Sequence, residues 1–117
     1  MENKFPGKDI TLDDLKTKFP LVAKKNNKHV SVVEAAGVEF GGNNIPILAG
    51  PNMVESKELI FDIAKNIKNS GAHFLRGGAF KPLTFPYRGL KYNETREDGI
   101  RWLEEVKEEI KIPIITE

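Results

Sequence analysis

Residues 44–78, NIPILAGPNMVESKELIFDIAKNIKNSGAHFLRGG, decide the fold. Ile45-Pro46-Ile47-Leu48-Ala49 is a short apolar run closed by Gly50-Pro51. Such a run suits a strand buried on both faces, as in a parallel sheet. Ser56 is a helix N-cap, and Leu59, Ile60, Ile63, Ala64 and Ile67 follow on one stripe at helical spacing. Ser70-Gly71 supplies a C-terminal stop. His73-Phe74-Leu75-Arg76 then reads as a second strand, broken by Gly77-Gly78.

Downstream, residues 79–95 (AFKPLTFPYRGLKYNET) form a long irregular stretch. Loops of this length inside compact domains are usually functional or disordered, and the aromatic residues here argue against simple disorder. Thr95-Arg96-Glu97-Asp98 opens another helix in capping-box style, with Ile100, Leu103, Val106 and Ile110 as its apolar stripe. Ile112-Pro113-Ile114-Ile115-Thr116 reads as a third buried strand, and Glu117 follows it. The order from residue 45 is therefore β-α-β-α-β, the pattern of parallel βα units. Upstream, Val30, Val32 and Val33, Gly37, Val38 and Phe40, and Gly41-Gly42 read as a small β-hairpin. Residues 1–28 are polar, with seven lysines against four acids. Thr11 is the N-cap of a short helix that Pro20 limits, and Lys24–Lys28 is a solvated turn.

The net charge of +1 excludes a strongly basic nucleic-acid binder on bulk charge. With no cysteine there is no disulfide, thiolate nucleophile or cysteine metal ligand. No apolar run approaches the roughly 18 residues of a membrane span, and MENKFPGKD lacks the apolar region of a signal peptide. A cytoplasmic chain without membrane or nucleic-acid partners is expected. The 117 residues suit one small domain and fall short of a complete α/β barrel of about 250.

In parallel βα architectures ligands sit at the C-terminal ends of the strands. Those ends are Gly50–Ser56, Arg76–Thr84 and Glu117. Arg76 closes an apolar strand, where a partly buried guanidinium needs an anionic partner. Its planar fork suits a carboxylate or phosphate. Lys81 lies beyond two glycines that would let backbone approach a ligand, and it suits phosphate binding or acid-base work. The spacing leaves equally open an internal salt bridge for Arg76 and a solvated Lys81. Asn52 reads as a turn residue by itself, His73 as structural, His29 as solvated, and Trp102 as core or interface. No His or carboxylate pair has metal-site spacing.

LAGPNMVES (Leu48–Ser56), LRGGAFKPLTFPYRG (Leu75–Gly89) and PIITE (Pro113–Glu117) together resemble the class I 3-deoxy-7-phosphoheptulonate (DAHP) synthase family, which includes 3-deoxy-octulosonate 8-phosphate synthase. The resemblance spans about residues 30–117. It implies an α/β fold: the N-terminal portion, about three strands, of a (β/α)8 TIM barrel preceded by a short β-hairpin. Residues 1–29 would be a polar extension with a short helix, and residues 30–117 the partial barrel domain.

The same resemblance implies an aldol-type condensation of phosphoenolpyruvate with erythrose 4-phosphate, the first step of aromatic amino acid biosynthesis. Arg76 and Lys81 would bind phosphoenolpyruvate, with Lys81 also the candidate proton donor. Pro82 and Thr84 would contact the sugar phosphate, and Glu117, also a candidate substrate-binding residue, would sit at the mouth of the site. Asn52, a candidate catalytic residue, stands where the family usually has a metal-ligating Cys. No metal site is therefore expected in this chain, and the family's divalent-metal dependence should be weakened or absent. Leu83 replaces the usual Arg that holds the aldose phosphate, and Arg88 is the candidate substitute. Two alternatives follow: an octulosonate-type synthase using arabinose 5-phosphate, or a noncatalytic remnant of the barrel. The chain would be truncated or a fragment, and a homo-oligomer is expected, because three barrel strands leave apolar faces uncovered.

Overall fold

The computed structural model describes residues 11–80 and 94–117. The chain divides into two compact units, Met1–Ile45 and Pro46–Glu117.

In the first unit, helix α1 (Leu12–Lys18) starts at Thr11. The Thr11 hydroxyl oxygen accepts from the Asp14 backbone N–H at 3.1 Å, and the Thr11 backbone N–H donates to Asp14 Oδ2 at 3.0 Å. This reciprocal pair is a full capping box. His29, expected to be solvated, instead accepts the Lys25 N–H on Nδ1 at 3.1 Å, closing the lysine-rich turn. The hairpin forms from β1 (Val33–Ala35) and β2 (Val38–Phe40), paired antiparallel with Ala35 opposite Val38. Its two-residue turn has φ of 50° at Ala36 and 75° at Gly37. Positive φ at both central positions matches the right-handed twist of the strands, and glycine accepts it without strain.

The second unit is an α/β layer. Strands β3 (Leu48–Ala49), β4 (Phe74–Arg76) and β5 (Ile114–Ile115) form a parallel sheet in the order β3-β4-β5. Leu48 pairs with Phe74, and Leu75 with Ile114. Helix α2 (Lys57–Asn69) connects β3 to β4, and α3 (Arg96–Ile110) precedes β5. The predicted β-α-β-α-β order is observed, with strands shorter than the apolar runs that mark them.

Helix α2 begins as expected, with Ser56 Oγ accepting the Leu59 N–H at 3.2 Å. Its stripe buries Ile60 and Ala64 against Leu75 of β4, Leu103 and Val106 of α3, Val54 and Ile112. Leu59 turns outward, 41% exposed, and Phe61 packs on the core in its place. Trp102 also packs against this cluster.

Two local expectations are corrected. The Ile45–Ala49 run is not buried on both faces: only Leu48 and Ala49 pair, and Ile45, Ile47 and Leu48 are exposed. The reason is position, since β3 is an edge strand of the sheet. Burial on both faces belongs to the central β4, where the successive residues Phe74 and Leu75 are 4% and 0% exposed. Secondly, Thr95 makes no side-chain cap for α3. Its hydroxyl donates instead to the Val54 carbonyl at 2.9 Å. Among the described residues no helix is long and apolar enough to cross a membrane.

Candidate functional site at the strand ends

The parallel sheet puts the C-terminal ends of β3, β4 and β5 at one edge, and the loops that leave them are knitted together. Val54, in the loop after β3, is fully buried. Its N–H donates to the Gly78 carbonyl at 2.9 Å, and its carbonyl accepts from Thr95. A Cβ on Gly77 would lie 2.9 Å from Val54 Cγ2. The Gly77-Gly78 pair thus lets the Val54 loop pack against the end of β4, and both glycines are buried. The Arg96 N–H donates to the Ala79 carbonyl at 2.8 Å, so the start of α3 is tied to the segment after β4.

At the centre of this edge is Arg76. Its Nη1 donates to the Pro51 carbonyl at 3.0 Å, the Asn52 carbonyl at 2.8 Å and Asn52 Oδ1 at 3.2 Å. Its Nη2 donates to Glu117 Oε1 at 2.7 Å. One guanidinium therefore joins the ends of all three strands. Backbone bonds hold it there: the Gly77 N–H donates to the Ile115 carbonyl at 3.1 Å. Gly50 approaches the Arg76 carbonyl so closely that a Cβ would lie 1.9 Å from that oxygen.

The Arg76 and Glu117 side chains are 29% and 57% exposed. A pair this open contributes at most about 1 kcal/mol, so its use is geometric. Among the described residues no acceptor sits on Arg76 Nε, and Nη2 has a second hydrogen beyond the one given to Glu117.

Asn52, Arg76 and Glu117 are thus brought together. Lys81, Pro82, Thr84 and Arg88, like Leu83 and most of the 79–95 stretch, lie outside the described residues. His73 is structural: its Nδ1 accepts the Ile47 N–H at 2.9 Å, and its own N–H donates to the Ile47 carbonyl at 2.9 Å. Sequence reasoning missed Pro51, which acts through a carbonyl that no side-chain pattern marks. It also missed Thr95, whose cap-like setting hid a long-range bond. A cavity of about 210 Å³ beside α3 and β5 is lined by Ile100, Leu103, Glu104, Lys107, Ile114 and Thr116, none of them a predicted site residue.

For a divalent cation, Asn52 is the donor that the sequence puts forward at this edge. Asn52 Oδ1, the candidate donor, accepts from Arg76, so a cation there would lie beside a fixed positive charge. Among the described residues, no three His, Cys, Asp or Glu side chains group to hold one.

Residues 21–117 match the model of the DAHP synthetase I family. The chain belongs to this family. Among DAHP synthase relatives, the phospho-2-dehydro-3-deoxyheptonate aldolase of Thermotoga maritima is 30% identical over 99 residues, covering 85% of this chain and 28% of the relative. The 2-dehydro-3-deoxyphosphooctonate aldolase of Fusobacterium nucleatum is 29% identical over 97 residues, covering 75% of this chain and 34% of the relative. The crystal structure of the T. maritima DAHP synthase superposes with a TM-score of 0.61 at 30% identity, covering 77% of this chain and 24% of that one. The chain thus spans about a third or less of the length of these DAHP synthase-family proteins.

Proposed function

We propose that this chain carries the phosphoenolpyruvate-binding edge of a 3-deoxy-7-phosphoheptulonate synthase, as the first three strands of a (β/α)8 barrel. The supporting observation is the Arg76 guanidinium, fixed by three strand ends with an Nε–H and a second Nη2 hydrogen that no described residue accepts. Phosphoenolpyruvate presents a carboxylate and a phosphate, the anions a guanidinium binds best.

In the proposed reaction, C3 of phosphoenolpyruvate bonds to the aldehyde carbon of erythrose 4-phosphate. The aldehyde oxygen takes a proton, for which Lys81 is the candidate donor. Water adds at C2, the C2–O bond to phosphorus's bridging oxygen breaks, and inorganic phosphate leaves. Pro82 and Thr84 would meet the sugar phosphate, with Arg88 supplying the charge that Leu83 cannot. Asn52 serves by holding Arg76, and no metal is assigned to this edge.

Asn52 and Leu83, together with the similarity to the F. nucleatum phosphooctonate aldolase, favour a second reading in which the aldose is arabinose 5-phosphate. Phosphate release from phosphoenolpyruvate, measured with each aldose, separates the two. Binding of phosphoenolpyruvate to the 117-residue chain tests the shared part directly. Saturable binding that Arg76→Met abolishes and Lys81→Met weakens is expected. Binding that survives Arg76→Met overturns the proposal.

A further inference from the structure

We infer that Glu117 is the positioning residue for Arg76: its carboxylate fixes the guanidinium so that the uncommitted N–H donors stay aimed at an incoming anion. This rests on the anion-binding role proposed for Arg76 and replaces the expectation that Glu117 contacts substrate itself. The Arg76 side chain is held from two sides. Nη1 is taken up by the Pro51 and Asn52 oxygens of the loop after β3, and Nη2 by Glu117 Oε1 at 2.7 Å beyond the end of β5. A planar group held at both terminal nitrogens cannot rotate about its long axis without breaking one set of bonds. With Glu117 removed, only the Nη1 set remains and the Nη2 side is free to swing. An immobilised fork loses less entropy on binding than a mobile one.

A carboxylate beside the anion site also repels the anion, so charge and hold act in opposite directions and can be separated. Glu117→Gln keeps an oxygen acceptor and drops the charge, whereas Glu117→Ala drops both. At about 6 Å in a water-like medium the lost repulsion corresponds to a roughly threefold gain in affinity. The test is an NMR titration of phosphoenolpyruvate into the full 117-residue chain. Glu117→Gln is expected to tighten binding about threefold, and Glu117→Ala, which sets a roughly fivefold loss of orientation against that gain, to bind about fivefold more weakly than Glu117→Gln and somewhat more weakly than the parent chain. Tightening by both variants, or no change in either, overturns the positioning role.

A second, ligand-free arm keeps this separate from the phosphoenolpyruvate proposal. The resonance of the Arg76 Nη2–H given to Glu117, assigned by its loss in Arg76→Lys, is expected to be sharp in the parent chain and in Glu117→Gln. In Glu117→Ala it should broaden or vanish through exchange with water. A signal equally sharp in Glu117→Ala refutes the inference even where phosphoenolpyruvate binds. Absence of phosphoenolpyruvate binding by the parent chain, with the resonance behaving as expected, refutes the ligand and leaves the positioning role standing.

Discussion

Replacing Gly50 with alanine strikes the junction on which the whole strand-end edge depends. Gly50 has φ of 150°, and a Cβ there would lie 1.9 Å from the Arg76 carbonyl oxygen and 2.9 Å from its carbonyl carbon and nitrogen. All three are backbone atoms, so no side-chain rotation relieves the overlap. The ends of β3 and β4 must separate by about an ångström to restore the 3.0 Å that real Cβ contacts require. The unfavourable φ contributes about 1–3 kcal/mol. The separation also stretches the Arg76 bonds to the Pro51 and Asn52 carbonyls, worth about 1.5–3 kcal/mol each when fully formed and less at this partly exposed site. The expected loss is about 3–5 kcal/mol, a large share of the roughly 5–15 kcal/mol that holds a domain together. Gly71→Ala is the internal control. Gly71 has φ of 90° with nothing within 4 Å of its Cβ position, so only the conformational cost applies, about 1 kcal/mol. Urea unfolding of the parent chain and both variants, followed by far-UV circular dichroism, gives the comparison at constant m. If Gly50→Ala costs no more than Gly71→Ala, the close approach of β3 to Arg76 is not a feature of the folded protein.

Three further outcomes are expected. Thr95→Val removes the hydroxyl that donates to the Val54 carbonyl and should lower stability by about 1 kcal/mol, while Thr95→Ser should retain most of it; equal unfolding midpoints for both would refute the cross-link. Exhaustive chelation should leave the melting curve and phosphoenolpyruvate binding unchanged, because Asn52 Oδ1 is engaged by Arg76; recovery of either property only on adding a divalent metal would contradict this. The Thr11 backbone N–H, and then its hydroxyl, hold the Asp14 carboxyl below the ordinary aspartate range. The stabilisation of α1 is therefore fully present above the ordinary aspartate value and is lost as pH falls through the lowered one. An Asp14 titration by NMR that shows no rise in pKa on Thr11→Ala would rule out this cap.

The order of elements was legible because each carries its own short-range signal. Ser56 caps α2, Gly37 takes the positive φ of the hairpin turn, and the stripes of α2 and α3 bury Ile60, Ala64, Leu103 and Val106. What failed depends on neighbours distant in the chain. Apolar content marks Ile45–Ala49 as a strand, but it cannot say that the strand lies at an edge with Ile47 exposed. Thr95 before Arg96-Glu97-Asp98 satisfies the local pattern of a cap. Its backbone, with φ of −78° and ψ of −15°, is not the extended backbone of a cap, and its hydroxyl donates to Val54, 41 residues away. That Gly77 makes room for Val54 was not legible either, because a glycine does not reveal which side chain fills the space beside it.

Arg76 shows why the sequence left its two roles balanced. A guanidinium at the end of an apolar strand can serve an internal carboxylate or an external anion, and the residue type is the same for either. The geometry divides the donors. Glu117 takes one Nη2 hydrogen, the Pro51–Asn52 segment takes Nη1, and Nε–H and the second Nη2 hydrogen have no acceptor among the described residues. Five donors on one rigid plane allow the same side chain to fasten three strand ends with donors to spare for the anion proposed above, which a lysine with three donors on a single rotating nitrogen would not do. Arg76→Lys keeps the charge and loses this division of donors. It should therefore separate the strand ends as well as weaken anion binding, whereas a residue that only contacted substrate would lose the second property alone.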